Sequence, residues 1–248
     1  MALLTLTSDI GHQDYLVAAV KGQLLNINPA FNLVDISHKL TPFNYPQAAY
    51  ICRNAIFHFP PHSFHLVLVN LFDRRPEQLL LAYHNEQYIL CADNGLLTMI
   101  LEEKPEMVIG LPLAPEADKN TLYCVKKMAE AVQQLHNGAG IDQIGIPDVS
   151  FLEKNHLRPA LGKDWIEAQI IHIDHFENII VNINKTAFEE HGRNRPFKIH
   201  FKRDETIDRI SSCYADVPEG EKLAIFNSAG YLEIAINKGN ASGLLGLQ

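Results

Sequence analysis

The chain has 248 residues, 47% hydrophobic and 20% charged, enough to fill one large core or two ordinary ones, which excludes disordered and fibrous classes. Lys and Arg number 21 against 29 Asp and Glu, a net charge of -8, so no basic excess exists to neutralise a phosphate backbone or an anionic lipid surface. Nucleic acid and membrane partners are not expected; without an apolar run of about 18 residues or a charged leader in MALLTLTSDIG, a cytoplasmic protein is.

The opening LLTLT reads as a strand that stops at Ser8-Asp9-Ile10-Gly11, and YLVAAVKGQLL follows with helical spacing and Asp14 as a candidate N-cap. FNLVDIS predicts a second strand, PQAAYICRNAIFHF a helix and FHLVLVNLF a buried strand. YILCAD, the Asp93-Asn94-Gly95 turn and LLTMILEE add a strand and a helix, and KKMAEAVQQLHNG an amphipathic helix ending at Gly138. This alternation predicts an α/β domain with a mostly parallel sheet over residues 1–162. From there EAQIIHID, NIIVNIN, FKIHFKR, KLAIFN and YLEIAIN are short alternating segments between turns, which predicts a small β-barrel domain over residues 163–248.

Cys52, Cys91, Cys124 and Cys213 form no C-x-x-C pair and read as reduced thiols. The 12 histidines raise the question of a metal, but His62/His65 and His172/His175 lack ligand spacing on a helix and a matching Cys or Asp pair, so no metal site is expected. G-x-G-x-x-G and G-x-x-x-x-G-K-[ST] are absent from the turn after the first strand, which disfavours a nucleotide held by its phosphates. Asp9 stands where open α/β sheets bind ligands and can accept two hydrogen bonds from a ribose diol, or it simply makes the strand-to-helix turn with Gly11. In Asp174-His175-Phe176-Glu177-Asn178, Asn178 offers an amide to an adenine edge, Phe176 a stacking face and Asp174 a charge for an ammonium; the other reading is a polar hairpin turn.

SDIGHQDYLVAAVKG, DISHKLTPFN, ADNGLLT, IDHFENIIVNI and NSAGYLEIAINKGNASGLLGL, in this order and spacing, resemble the S-adenosylmethionine hydroxide adenosyltransferase family, relatives of the bacterial fluorinase and chlorinase. The resemblance runs from Asp9 to Gly246. It implies an α/β domain, a C-terminal β-barrel and a homotrimer whose substrate lies between neighbouring subunits. It also implies displacement of methionine from the ribose 5′-carbon by water or halide, with S-adenosylmethionine as substrate and no cofactor. Carried onto this sequence, it makes Asp9 the grip on the ribose hydroxyls and Asp14 a carboxylate near the methionine end. Phe43 takes the place of a pocket-lining tryptophan. Asp174 receives the methionine ammonium, Phe176 and Asn178 the adenine, and Ser228 the methionine carboxylate, while Ala229 replaces an arginine of the fluorinase.

The departures lie at the water site. The D-P-G-V-G segment of the hydrolases becomes VNLFDRRPEQ, which puts Asn70 at the aspartate position and leaves Arg74 or Arg75 to supply the arginine through a shifted loop. The H-G-R-D segment becomes Tyr123-Cys124-Val125-Lys126, and TLYC is closer to the halogenase TFYS, with Cys124 at the halide-holding serine. Asn70, Arg74 and Tyr123 are thus the candidate catalytic residues. An amide can hold water but not take its proton. Three readings follow: an adenosine-forming hydrolase, a binding protein without turnover and a halide-dependent transferase.

Overall fold

The computed structural model describes residues 1–193, 195–201 and 205–247, arranged as two compact units, Met1–His156 and Leu157–Gln248. The first carries β1 (Leu3–Ser8), α1 (Leu16–Ile27), β2 (Asn32–Ser37), α2 (Tyr45–Ile56), β3 (Phe64–Leu68), β4 (Gln78–His84) and β5 (Gln87–Ala92). It continues with α3 (Leu96–Leu101), β6 (Met107–Pro112), α4 (Thr121–His136) and β7 (Ile146–Pro147). The seven strands form one sheet in the order β2-β1-β3-β5-β4-β6-β7. β2, β1, β3 and β5 pair in parallel, whereas β4 is antiparallel to both β5 and β6, so the sheet is mixed.

Strand side chains alternate between faces, and both faces of this sheet are covered. Leu66, Leu68, Leu79 and Leu81 join Val20, Leu24, Val125 and Met128 of α1 and α4 in one layer. Val67, Val69, Leu80 and Ile89 join Ala49, Cys52, Leu97 and Ile100 of α2 and α3 in the other. Leu79, Leu80 and Leu81 are fully buried, and burial on this scale stabilises by roughly 2 kcal/mol per leucine. This doubly covered arrangement explains why β3 reads as a continuous apolar run. β4 and β6 are strands that the periodicity reading did not separate. A two-residue turn joins β4 to β5 with both Asn85 (φ 47°) and Glu86 (φ 60°) left-handed; a glycine there would have announced the hairpin.

The second unit contains β8 (Ala160–Leu161), β9 (Ile166–Glu167), β10 (Ile170–Ile173), β11 (Ile179–Asn184), α5 (Lys185–Gly192), β12 (Ile199–His200), β13 (Thr206–Ile207), β14 (Lys222–Phe226), β15 (Tyr231–Ile236) and α6 (Ala241–Leu245). Its main sheet is antiparallel, in the order β10-β11-β15-β14, with β8-β9 and β12-β13 as separate pairs. Pairing into a closed barrel is not among the ladders of the described residues. Ile179, Ile183, Ala224, Leu232 and Ile234 form its core. The FKIHFKR segment contributes only β12, and its Lys202 and Arg203 lie outside the described residues. α5 is a helix where only strands were expected; Asn184 ends β11 and its side chain accepts the Ala187 N–H at 2.8 Å, which starts the helix. No helix among the described residues is long and apolar enough to cross a membrane.

All four cysteines are free; Cys52, Cys91 and Cys124 are buried and Cys213 is exposed. Desolvation pushes the Cys52 thiol up to about 12 and the Cys124 thiol up to about 11. Thiol titration of the native protein is therefore expected to give one fast equivalent, from Cys213, and the other three only on unfolding. Fast labelling of the Cys213→Ser variant would contradict this packing.

Candidate functional site

The chain runs from β1 outward to β2 and then crosses to β3 on the other side of β1. The connections leaving β1 and β3 therefore diverge, and a crevice opens at the carboxyl ends of these strands. Asp9, one residue beyond β1, sits there. Its Oδ2 accepts the Asn70 N–H at 3.1 Å and the Phe43 N–H at 3.5 Å, while Oδ1 takes no hydrogen bond among the described residues.

The turn carrying Asp9 is held from behind. Gly11, at φ 75°, donates its N–H to His38 O at 2.8 Å, a left-handed conformation that favours glycine. Ser8 Oγ and His38 Nδ1 are 2.6 Å apart, and both residues are buried. His38 Nε2 lies 3.2 Å from Asp35 Oδ1. Burial lowers the His38 pKa, against the opposing pull of Asp35.

Asn70 adopts φ 43°, which asparagine tolerates better than most residues, and its carbonyl accepts the N–H of Asp73 at 3.3 Å. Its Nδ2 donates to Tyr45 Oη at 2.9 Å and to Asp73 Oδ1 at 3.0 Å. Asn94 Nδ2 staples the same turn through the carbonyls of Val69 and Asn70, at 3.0 and 3.1 Å. Beside it opens a cleft of about 470 Å³ whose walls include Asp73, Arg74, Arg75, Glu77, Asp93 and Asn94. Arg74 is bound to Asp93, Nε to the carbonyl at 3.1 Å and Nη2 to Oδ2 at 2.7 Å. Asp93 also receives Gln78 Nε2 at 2.9 Å and Leu152 N–H at 2.7 Å, so its carboxylate is fully engaged.

Lys154 also belongs to this group, though no motif or spacing marks it. Its Nζ lies 3.7 Å from the centre of the Tyr45 ring and 3.7 Å from Asp73 Oδ2. Thr98 Oγ1 donates to the Lys154 carbonyl at 2.8 Å and accepts its N–H at 2.9 Å. Gly95 makes room: a Cβ there would stand 2.5 Å from Lys154 Cγ. Asp73 lies inside a loop that matches no motif, so no sequence signal singles it out.

Of the other expected residues in this unit, Phe43 is 69% exposed with φ 64°, and its N–H joins it to Asp9. Exposed Asp14 accepts the Leu16 N–H at 2.8 Å just before α1. Tyr123 follows the Asn120 cap of α4, and its hydroxyl accepts the Ala114 N–H at 3.0 Å beyond the carboxyl end of β6. Cys124 packs in the apolar layer between α4 and the sheet, with no exposed surface. The structure thus brings Asp9, Phe43 and Asn70 together, ties Arg74 to Asp93, and leaves Cys124 in the core.

In the second unit, Asp174 organises the turn between β10 and β11. Its Oδ1 accepts the N–H of Phe176 at 2.9 Å and of Asn178 at 2.8 Å, and its Oδ2 accepts Asn178 Nδ2 at 3.2 Å. Phe176 is left 74% exposed, whereas Asn178 is buried. Ser228 is exposed in the turn between β14 and β15, where Asn227 Oδ1 accepts the N–H of Ala229 and Tyr231 at 3.0 and 3.1 Å. Glu233, buried in β15, accepts the Tyr214 hydroxyl at 2.6 Å. Burial raises the Glu233 pKa, and the Asp174 charge raises it further against the Tyr214 bond. Glu233 was hidden in a segment whose pattern said only strand. Among the described residues no group of three or more His, Cys, Asp or Glu could hold a metal ion.

The family model described as SAM hydroxide adenosyltransferase N-terminal domain matches residues 4–145, and that for the C-terminal domain matches residues 168–248. A protein of Methanocaldococcus jannaschii named (R)-S-adenosyl-L-methionine hydrolase is 29% identical, the alignment covering 98% of this chain and 91% of the relative. One of the same name from Thermus thermophilus is 28% identical, covering 97% and 94%. A Nocardia brasiliensis protein named fluorinase is 25% identical, covering 95% and 90%. Among solved structures, an uncharacterized conserved protein from Thermotoga maritima superposes with a TM-score of 0.81 at 23% identity, covering 99% of this chain and 96% of that one. This last likeness speaks for the fold alone.

Proposed function

The chain belongs to the SAM hydroxide adenosyltransferase family, and on that premise we propose that it hydrolyses S-adenosyl-L-methionine to adenosine and L-methionine. The observation that carries this reading is Asp9: it stands at the crevice between β1 and β3, with Oδ2 fixed by two backbone N–H groups and Oδ1 open. Such a carboxylate can accept hydrogen bonds from a ribose diol without first being ordered. The relatives named as hydrolases support the same assignment.

In the proposed reaction a water oxygen forms a bond to the ribose 5′-carbon as the C5′–S bond breaks. The electron pair passes to sulfur, so methionine leaves as a neutral thioether and needs no protonation. The protein's part is then to align the water, the carbon and the sulfonium and to exclude other water. Asp9 grips the ribose, Phe43 walls it, and Asn70 and Tyr123 position the water. Asp14 faces the methionine end, and Arg74 braces the cleft wall by holding Asp93. Asp174, Phe176, Asn178 and Ser228 serve the ammonium, the adenine face, the adenine edge and the methionine carboxylate. Cys124, packed in the core, has no part in this reading. The reaction so written calls for no cofactor. The proposal extends to a homotrimer in the cytoplasm and to closure of the second unit's sheets into a barrel, in line with the family resemblance. Sedimentation at the mass of a single chain would remove the trimer.

Purified protein incubated with S-adenosylmethionine is expected to release adenosine and methionine in equal amounts above the uncatalysed background, independent of added chloride or fluoride. Binding without turnover is the second reading, favoured by the amide at Asn70 and by the engagement of the Tyr123 hydroxyl with Ala114 N–H. Saturable adenosine binding with no product would establish it, and a halo-nucleoside would establish the halide reaction instead.

A further inference from the structure

Water that attacks a carbon must lose a proton, and neither Asn70 nor an engaged tyrosine hydroxyl is built to take it. We infer that Asp73 is the proton acceptor, a catalytic residue in contact with the attacking water. The inference rests on the hydrolase reading. Asp73, Glu77 and Asp93 line the cleft, and Asp9 adjoins it through the Asn70 N–H; three of these four are unsuited. Asp9 is fixed by the Phe43 and Asn70 N–H groups and faces the ribose. Asp93 is spent on Arg74, Gln78 and Leu152, and its side chain is 8% exposed. Glu77 has no tie to Asp9 or Asn70 among the described residues.

Asp73 differs on each count. It lines the cleft, its side chain keeps 37% of its surface open, and Oδ1 takes the Asn70 amide at 3.0 Å. Through the backbone N–H of the same Asn70 it is linked to Asp9, so acceptor and ribose grip are fixed to one turn. Lys154 Nζ, 3.7 Å from Oδ2, supplies a counter-charge and leaves lone pairs free. In the step, one water proton passes to the Asp73 carboxylate as the oxygen bonds to C5′ and the C5′–S pair goes to sulfur. The carboxylic acid then returns its proton to solvent.

Asp73→Asn keeps the size and the hydrogen bond but removes the base. It is expected to lower kcat by about a hundredfold or more, with adenosine affinity by calorimetry and the thermal midpoint unchanged. Adding Asn70→Asp to that variant puts a carboxylate within one hydrogen bond of the lost one, and part of kcat is expected to return. Undiminished turnover in Asp73→Asn, or a loss of adenosine affinity equal to the loss of kcat, would overturn the assignment. An inactive wild-type protein would remove the hydrolase reading and the base together, whereas an active wild type with an equally active Asp73→Asn removes the base alone.

Discussion

Asp9→Ala is expected to weaken adenosine binding by roughly two to four orders of magnitude, since two hydrogen bonds to a charged acceptor contribute about 1.5–3 kcal/mol each. The loss should appear equally in kcat/KM for S-adenosylmethionine, because the ribose is held in the ground state and in the transition state alike. Half-buried Asp9 also receives the N–H groups of Phe43 and Asn70, so the variant should lose about 1–2 kcal/mol of stability but still fold. Calorimetry with adenosine and a urea titration measure the two effects separately. If Asp9→Ala bound adenosine as tightly as the parent, the crevice between β1 and β3 would not be the nucleoside site.

The second large effect is on stability and concerns the opposite end of the sheet. His65 is buried at the start of β3, with Nδ1 2.7 Å from Thr5 Oγ1 and Nε2 3.0 Å from Gln87 Oε1. Gln87 Nε2 donates to the carbonyls of Phe59 and Pro60, so its oxygen is the acceptor, Nε2 of His65 carries the proton and Thr5 donates to Nδ1. A neutral ring satisfies every partner. Desolvation brings the His65 pKa down to about 4, only partly opposed by the Gln87 bond. The unfolded chain takes up this proton near pH 6.5 and the folded one only near 4, so the neutral ring's contribution is complete above about pH 6.5 and is lost as pH falls towards 4. A gap of that size is worth about 3 kcal/mol. Unfolding free energies at about pH 7 and about pH 4.5 should therefore differ more in the parent than in His65→Gln. Parallel losses in the two proteins would show that other groups govern the acid limb.

Much of this architecture is written in local pattern. LLTLT followed by a polar stop announced β1 and put Asp9 at its end, because strand ends and helix starts are made by near neighbours. β4 escaped because a fully buried strand has no alternation, and the turn that makes it antiparallel uses Glu86 where glycine is usual. Cys124 shows the limit of motif reasoning. Val125, Met128, Ala129 and Val132 recur at helical spacing and all are buried, and that periodicity puts residue 124 on the core side of α4 whatever the TLYC match implies. Asp73 and Lys154 lie 81 residues apart and meet where Thr98 pins the backbone of residue 154 and Asp93 that of Leu152. No spacing rule encodes such a meeting.

The Asp174 turn carries a thermodynamic consequence of its own. Three N–H groups converge on one carboxylate, so the backbone around Phe176 is already ordered before anything touches the ring. A slack loop would forfeit about 1–2 kcal/mol of entropy per residue on contact, whereas Phe176 has little more than its own side-chain rotation to lose. The ring itself is 74% exposed, so its apolar face is open to water. The planar base proposed for this site would release that water on contact, and the free energy stored in an exposed aromatic ring would become binding free energy.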